Sequence, residues 1–444
     1  MSLAPSPPAE PLFGHARALS RDPLGTLVGW MHTYGSVVRF RVGSREAHVV
    51  FGPEEVRQVL TDPEGLYGKD THGYRTLRLF VGNGLLTSEP PLWTRQRRIL
   101  KPAFHGKSIA SYVKVMGEVA EASVAEMAER GRVRLDEVAM RATLAIVGRA
   151  LFGADLGAQA PRIAEAITTL QVAANRRIAA PFEIPFVVPT PEHLRIRAAR
   201  AALETLFEAL LRARRARPGV PHDAPRDVLD VLLEARDEAG RPLPEAQIQD
   251  ELVTLLIAGH ESTANALVWA VVLLSRYPDE VRLLREELDA LPPGHARHEA
   301  ATRAPRLRAV VDETLRLYPP AWSFGRAPRR DTTVGGFAVP RGRLVMLAPF
   351  ATHRDPHHFP NPEAFVPDRF LGAEPPPFAY FPFGGGARTC IGHTFARLEA
   401  RILLAAWVGE LELSTELSPE PSPLVTLRPR GAVHAHAKRR TRAT

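Results

Sequence analysis

The chain has 444 residues, 45% hydrophobic and 24% charged, with 41 prolines and 32 glycines, a balance that excludes a disordered or low-complexity chain and leaves ample material for a packed core. A single cysteine excludes an internal disulfide and with it the main sign of an oxidising compartment. The formal charge of +8 is spread over many arginines; it suits an acidic protein partner at least as well as nucleic acid, for which no motif is present.

Residues 1–25 form a Pro-rich lead segment. The first thirty residues show neither a signal-peptide pattern nor an apolar run able to cross a bilayer, so a cytoplasmic protein without a membrane anchor is expected. Val37 to Val42 and Ala47 to Phe51 read as two strands about the turn residues Gly43 and Ser44, and a helix is predicted from near Pro53. From about Pro91 to Ala290 the apolar spacing is mostly helical, with breaks at Gly153, around Pro181 to Pro191 and at Pro218 to Pro225. Val334 to Phe350 is β-rich, a long Pro- and His-rich loop follows, and a last helix is predicted from near Ile391. The end of the chain, residues 432–444, reads as a basic solvated tail rather than a binding arm. No internal repeat is present.

Leu255 to Leu274 is long and apolar enough to suggest a membrane span, yet His260, Glu261 and Asn265 lie within it. A helix buried through a protein core is the better reading, with the polar residues marking a functional surface.

The segment FPFGGGARTCIG places Phe383, Gly386, Arg388, Cys390 and Gly392 in fixed spacing ahead of a helix. A thiolate that binds metal must lose its proton near neutral pH, and a following helix N-terminus, free backbone donors and the metal all favour that. The glycines let the backbone pass close to a flat macrocycle, and Arg388 offers a cation to a carboxylate of such a cofactor. On these residues the chain resembles the cytochrome P-450 family, whose signature F-x-x-G-x-R-x-C-x-G is met in full, and further motifs of that family follow in order over nearly the whole chain.

The resemblance implies a mainly α protein with small β-sheets, folded as a single triangular domain over residues 1–444, holding haem b (iron protoporphyrin IX) with Cys390 as the metal ligand. Glu313 and Arg316 in ETLRLYPP, three apart on one helix face, correspond to the family's E-x-x-R pair, joined by Arg369 of PDRF as a buried charged triad. The same spacing at Glu54 and Arg57 reads as an ordinary surface pair. Trp93, Arg97 and Arg326 match residues that hold a haem propionate; His353 is either near that region or a turn-stabilising residue. AGHEST matches the oxygen-binding pattern, with Ala258 and Gly259 leaving room for dioxygen and Glu261 and Ser262 guiding protons. The family usually has threonine where Ser262 stands, so Ser262 or Thr263 is the proton-delivering hydroxyl, against a role for Ser262 as a simple bond to a preceding helix carbonyl. Tyr74, Phe80, Leu256, Ala258, Trp322 and Phe324 are placed by the same correspondence at the substrate pocket, where their character suits a hydrophobic small molecule.

The implied activity is monooxygenation, one atom of dioxygen entering the substrate by hydroxylation or epoxidation. No reductase-like segment accompanies the haem motifs, so NAD(P)H serves indirectly through a separate ferredoxin or flavodoxin with its reductase. Arg95, Arg97, Arg98 and Lys101 are candidate contacts for such an acidic partner, and a monomer is expected. One rival keeps the haem but uses peroxide, isomerises or dehydrates; another is a haem sensor or carrier without catalysis. A zinc peptidase is excluded because HESTA has Ala264 where H-E-x-x-H needs its second histidine, and HRD at His353 to Asp355 lacks the other kinase motifs.

Overall fold

The computed structural model describes residues 2–180, 184–216, 226–372 and 374–441. The lead segment already contains α1 (Ala16–Arg21) and the start of α2 (Pro23–Tyr34), where Pro23 occupies the first turn and the Asp22 carboxylate accepts the Gly25 N–H at 2.9 Å. The hairpin of β1 (Val37–Val42) and β2 (Arg45–Val50) turns at Gly43, whose φ of +59° suits glycine. α3 (Pro53–Thr61) starts on its proline with Glu54 and Glu55 in the first turn, as the helix dipole favours. After β3 (Tyr67–Gly68) come α4 (His72–Val81), capped by the Thr71 hydroxyl, and α5 (Leu92–Leu100).

The helical middle consists of α6 (Gly106–Arg130), the short β4 (Arg132–Arg134), α7 (Leu135–Leu151), α8 (Ala160–Ala179), α9 (Pro191–Arg215), α10 (Val228–Glu234), α11 (Glu245–Leu274), α12 (Pro278–Asp289), α13 (His295–Ala301) and α14 (Pro305–Leu317). Gly153 breaks it as expected, while Pro181 and residues 218–225 lie outside the described residues. Then follow β5 (Phe324–Pro328), β6 (Thr332–Val334), β7 (Phe337–Val339), β8 (Leu344–Leu347), α15 (Pro349–Thr352), the long loop, α16 (His393–Glu410), β9 (Leu411–Thr415), β10 (Pro421–Pro423), β11 (Leu427–Pro429) and β12 (His434–Arg439).

The largest sheet runs β1-β2-β8-β5-β3, with β2 and β8 parallel, so the N-terminal hairpin is joined to chain three hundred residues away. A second sheet, β4-β12-β9, corrects the reading of the C-terminus as a solvated tail: residues 434–439 are its central strand. Alternation explains this, since Ala435 and Ala437 are buried while His436 and Lys438 are exposed. Arg440 beyond the strand pairs with Asp289 of α12.

α11 is the spine. Its thirty residues span about 45 Å, and its apolar side chains run around the whole circumference, which is stable only inside a core. It packs on α7, α14 and α16, and Trp269 stacks on Tyr318 with ring centroids 3.8 Å apart. Its most apolar window is 78% buried, as a core helix requires.

Candidate functional site

α14 puts Glu313 and Arg316 on one face, both wholly buried, with Arg316 Nε donating to Glu313 Oε2 at 2.7 Å and Nη2 to Oε1 at 2.8 Å. The other guanidinium donors reach the carbonyls of His353, Pro362 and Ala364 at 2.9, 2.7 and 3.0 Å. Glu313 Oε1 also accepts the Val366 N–H at 2.9 Å and lies 3.5 Å from Arg369 Nε. Two buried charges thus find each other and pin the backbone of the long loop. His353 extends the support: its Nε2 accepts the Phe381 N–H at 2.9 Å, and burial, reinforced by Arg316, holds the ring's pKa well below its ordinary value. Of the two readings left open for His353, the structure shows the loop-stabilising one.

The cysteine loop rests on that base. Gly386 has φ +62°, and a Cβ there would lie 1.8 Å from the Leu60 carbonyl oxygen of α3, so only glycine fits. The Thr389 N–H and hydroxyl both donate to the Gly386 carbonyl, at 3.1 and 2.7 Å, and the Cys390 N–H donates to the Phe383 carbonyl at 2.9 Å. Gly392 is the N-cap of α16, and the Phe383 ring lies 4.6 Å from the Arg397 guanidinium. Burial pushes the Cys390 thiol up, opposed by the Gly392 N–H and by Arg97, Lys69 and Arg397. Protein surrounds this thiol closely, yet its own surface is accessible. The accessible surface decides what can bind, and an accessible side chain within such crowding lines an internal cleft.

A set of cations borders the same loop. The Trp93 ring lies under Arg388 at 3.9 Å, with Arg97 at 5.7 Å. Arg388 donates to the Ser88 carbonyl and to Glu89 Oε1 at 2.9 and 3.0 Å, and Arg97 to the Thr389 carbonyl at 2.9 Å. Arg326 is 5% exposed. Lys69, which the sequence reading missed, is also buried and donates to the Leu86 carbonyl at 2.6 Å. Burial, aided by Arg326 and Arg388, drives its pKa well below the ordinary lysine value. Burial lowers Arg388 to about 10 against the pull of Glu89. Glu89 is the carboxylate facing this group, and its other oxygen is taken by Arg329 at 2.6 Å. So many buried cations around one carboxylate fit a ligand carrying further carboxylates, as haem does with its two propionates. Among the described residues no group of His, Cys, Asp and Glu side chains could hold a metal by itself.

On α11, Ala258 is exposed between the buried Leu256 and His260, so protein does not cover the helix there. A Cβ on Gly259 would meet Val147 of α7 at 3.3 Å. The Ser262 hydroxyl donates to the Ala258 carbonyl at 2.7 Å. Thr263 is 3% exposed and faces α16, where Glu399 is its polar neighbour; burial raises the Glu399 carboxyl well above its ordinary range. Glu261 is 2% exposed, its Oε1 accepting the Thr426 hydroxyl at 2.7 Å and its Oε2 the Gln171 amide.

The expected pocket residues divide. Both on α4, Tyr74 lies under Lys69 and Phe80 packs edge-on against Phe186 of the segment between α8 and α9. Leu256 is wholly buried in the core, and Phe324 packs edge-on against Phe381. Trp322 donates from Nε1 to the Leu424 carbonyl at 2.7 Å and packs with Leu24, Phe350 and Leu427, so its side chain is committed to joining α2, α15 and β11. The candidate docking cations divide as well: Arg95 donates to Gln247 Oε1 at 3.1 Å and Arg97 turns inward, while Arg98 and Lys101 are exposed. A surface groove between α12 and the β9–β12 ribbon, lined by Arg282, Arg285 and Asp289, is built from other elements and shares none of these residues.

Comparison with known proteins agrees with this geometry. The family profile "Cytochrome P-450" matches residues 4–435. The chain is 34% identical to cyclooctatin synthase of Streptomyces melanosporofaciens over 96% of its length and 94% of that protein. It is 32% identical to cyclooctat-9-en-7-ol 5-monooxygenase of the same organism, over 90% and 87% of the two chains. Identity to pentalenene oxygenase of Streptomyces avermitilis is 31%, over 94% and 93%. The fold matches the crystal structure of a mutant cytochrome P-450 haem domain with a TM-score of 0.87 at 27% identity, covering 99% of this chain and 98% of that one. With a match that takes in every residue lining this cleft, the chain belongs to the cytochrome P-450 family and is a haem-thiolate monooxygenase.

Proposed function

We propose that the protein inserts one atom of dioxygen into a cyclic, mainly hydrocarbon substrate, by hydroxylation or epoxidation, in the cytoplasm and with electrons from a separate ferredoxin or flavodoxin. The observation that carries this reading is the accessible Cys390 thiol on a loop fixed from behind by Glu313 and Arg316. Cys390 would hold haem there, with Trp93, Arg97, Arg326, Arg388 and Lys69 placed to take its carboxylates, and the group would supply the reductive activation of dioxygen. The chain's own part is to keep that ligand in place, leave room at Ala258 and Gly259, and hold a hydroxyl and an acid, Ser262 and Glu261, for proton delivery. The names of three relatives, a synthase of cyclooctatin and oxygenases of a cyclic alkenol and of pentalenene, support the substrate class. Exposed Arg98 and Lys101 support an acidic electron donor.

The test is turnover of cyclic alkenes and alkenols by the haem-loaded protein with a surrogate ferredoxin, its reductase, NADPH and isotopically labelled dioxygen. One labelled oxygen atom per product is expected. Product formed from peroxide alone, with no turnover on electrons, would select the peroxide-using alternative.

A further inference from the structure

Between Trp93 and Arg97 on α5 lies Gln96, 1% exposed and, three residues after Trp93, on the same helix face. Both ends of its amide are spent on one loop. Its Nε2 donates to the Asn83 carbonyl at 2.9 Å, and its Oε1 accepts the Ser88 hydroxyl at 2.5 Å. Within that loop the carbonyls of Leu86, Thr87 and Ser88 accept, in succession, Lys69 Nζ at 2.6 Å, Arg78 Nη2 at 2.7 Å and Arg388 Nη1 at 2.9 Å. Two of these three cations, Lys69 and Arg388, belong to the set beside the cysteine loop. The earlier half of the loop is held by α11, through the Asn83 N–H on Asp250 and the Leu85 N–H on Glu251.

We propose that Gln96 is a positioning residue for the haem carboxylates: it braces residues 83–88 on α5, so that the carbonyls of Leu86 and Ser88 keep Lys69 and Arg388 in register with Trp93 and Arg97. A carbonyl aims a cation only as firmly as its own peptide is held, and a free loop resists being held because ordering it costs backbone entropy. The acceptors on α11 reach residues 83 and 85 but none of the three carbonyls that carry cations. One planar amide spans that gap, tying both ends of the segment to the helix that bears Trp93 and Arg97. The Ser88 hydroxyl is wholly buried, so without Gln96 it loses its acceptor with no water to replace it. This rests on the reading of these cations as facing the carboxylates of haem.

The experiment uses the haem-loaded full chain and Gln96→Met, a near-isostere without the amide, with Arg388→Ala and the double variant. Haem release, followed by transfer to excess apomyoglobin, is expected to quicken about tenfold in Gln96→Met. In the Arg388→Ala background the same substitution should add no more than about threefold, because part of its action runs through Arg388. The reduction potential of the bound haem should also fall, since carboxylates less compensated by cations favour the ferric state; a fold merely less stable would leave that potential where it was. Ser88→Ala, which removes one of the two bonds, should show both changes in smaller measure and serves if Gln96→Met does not fold. Unchanged release or unchanged potential in the variant that folds, or a full tenfold effect retained without Arg388, would overturn the brace. If Arg388→Ala itself releases haem at the parent rate, the reading of these cations fails, and the brace with it.

Discussion

On the side of α11 that faces α14 and α16, the loops are pinned by buried charge: a guanidinium forked on Glu313 and three backbone carbonyls, with Arg369 behind it. On the side that faces α4 and α8, attachment depends on single acceptors reaching across from α11. Asp250 takes the Asn83 N–H at 2.8 Å, Glu251 the Leu85 N–H at 3.0 Å, and Glu261 the Gln171 amide. The first arrangement fixes one geometry; the second can be undone one bond at a time. A protein that holds one cofactor permanently and admits successive substrates needs that asymmetry, with rigidity behind the thiol and adjustability over it.

The comparison is broken most severely at Glu313. Glu313→Ala leaves Arg316 as a buried unpaired charge and should cost about 3–5 kcal/mol, with loss of bound haem, measured by denaturant unfolding and haem absorbance. On the other side, burial raises Glu251 to about 8. Below its ordinary value of 4.5 the group is protonated folded and unfolded; between 4.5 and 8 only the folded form keeps the proton, so stability falls as pH rises through that window. Glu251→Gln should therefore be more stable at pH 8 by about 2–4 kcal/mol and equal to the parent at low pH, shown by melting curves at both. Ser262→Ala should lower product formed per electron by about tenfold with haem content unchanged; unaltered coupling would reduce Ser262 to its bond with the Ala258 carbonyl. The smallest effect belongs to the other Glu-x-x-Arg pair. Glu54 and Arg57 are 2.8 Å apart but mostly solvent-exposed, and Arg57→Ala should change stability by well under about 1 kcal/mol.

Those two pairs show what the sequence could reveal. Their local spacing is identical, and only the later PDRF segment and the cysteine loop distinguish the buried one. The cysteine loop itself was legible because its constraints are contiguous: a positive-φ glycine, a cation and a thiol lie within a few residues. Lys69 was not, because a lone lysine in a short strand-to-helix segment has no signature until folding sets it beside Arg326 and Arg388. Gln171, Glu261 and Thr426 are far apart along the chain and meet only through tertiary packing. Trp322 was assigned to the pocket from its position after the ETLR motif, but its indole N–H found a carbonyl acceptor elsewhere, as a partly buried tryptophan usually does. At the C-terminus the number of basic residues obscured an alternation of alanines that marks a strand.

The central claim is ligation of haem iron by the Cys390 thiolate. The most direct measurement is the absorbance of the folded, haem-loaded protein after reduction and addition of carbon monoxide. The strongly red-shifted Soret band of thiolate-ligated iron is predicted, and its loss in Cys390→Ser. A band at the position given by nitrogen-ligated haem in the parent protein would contradict the account.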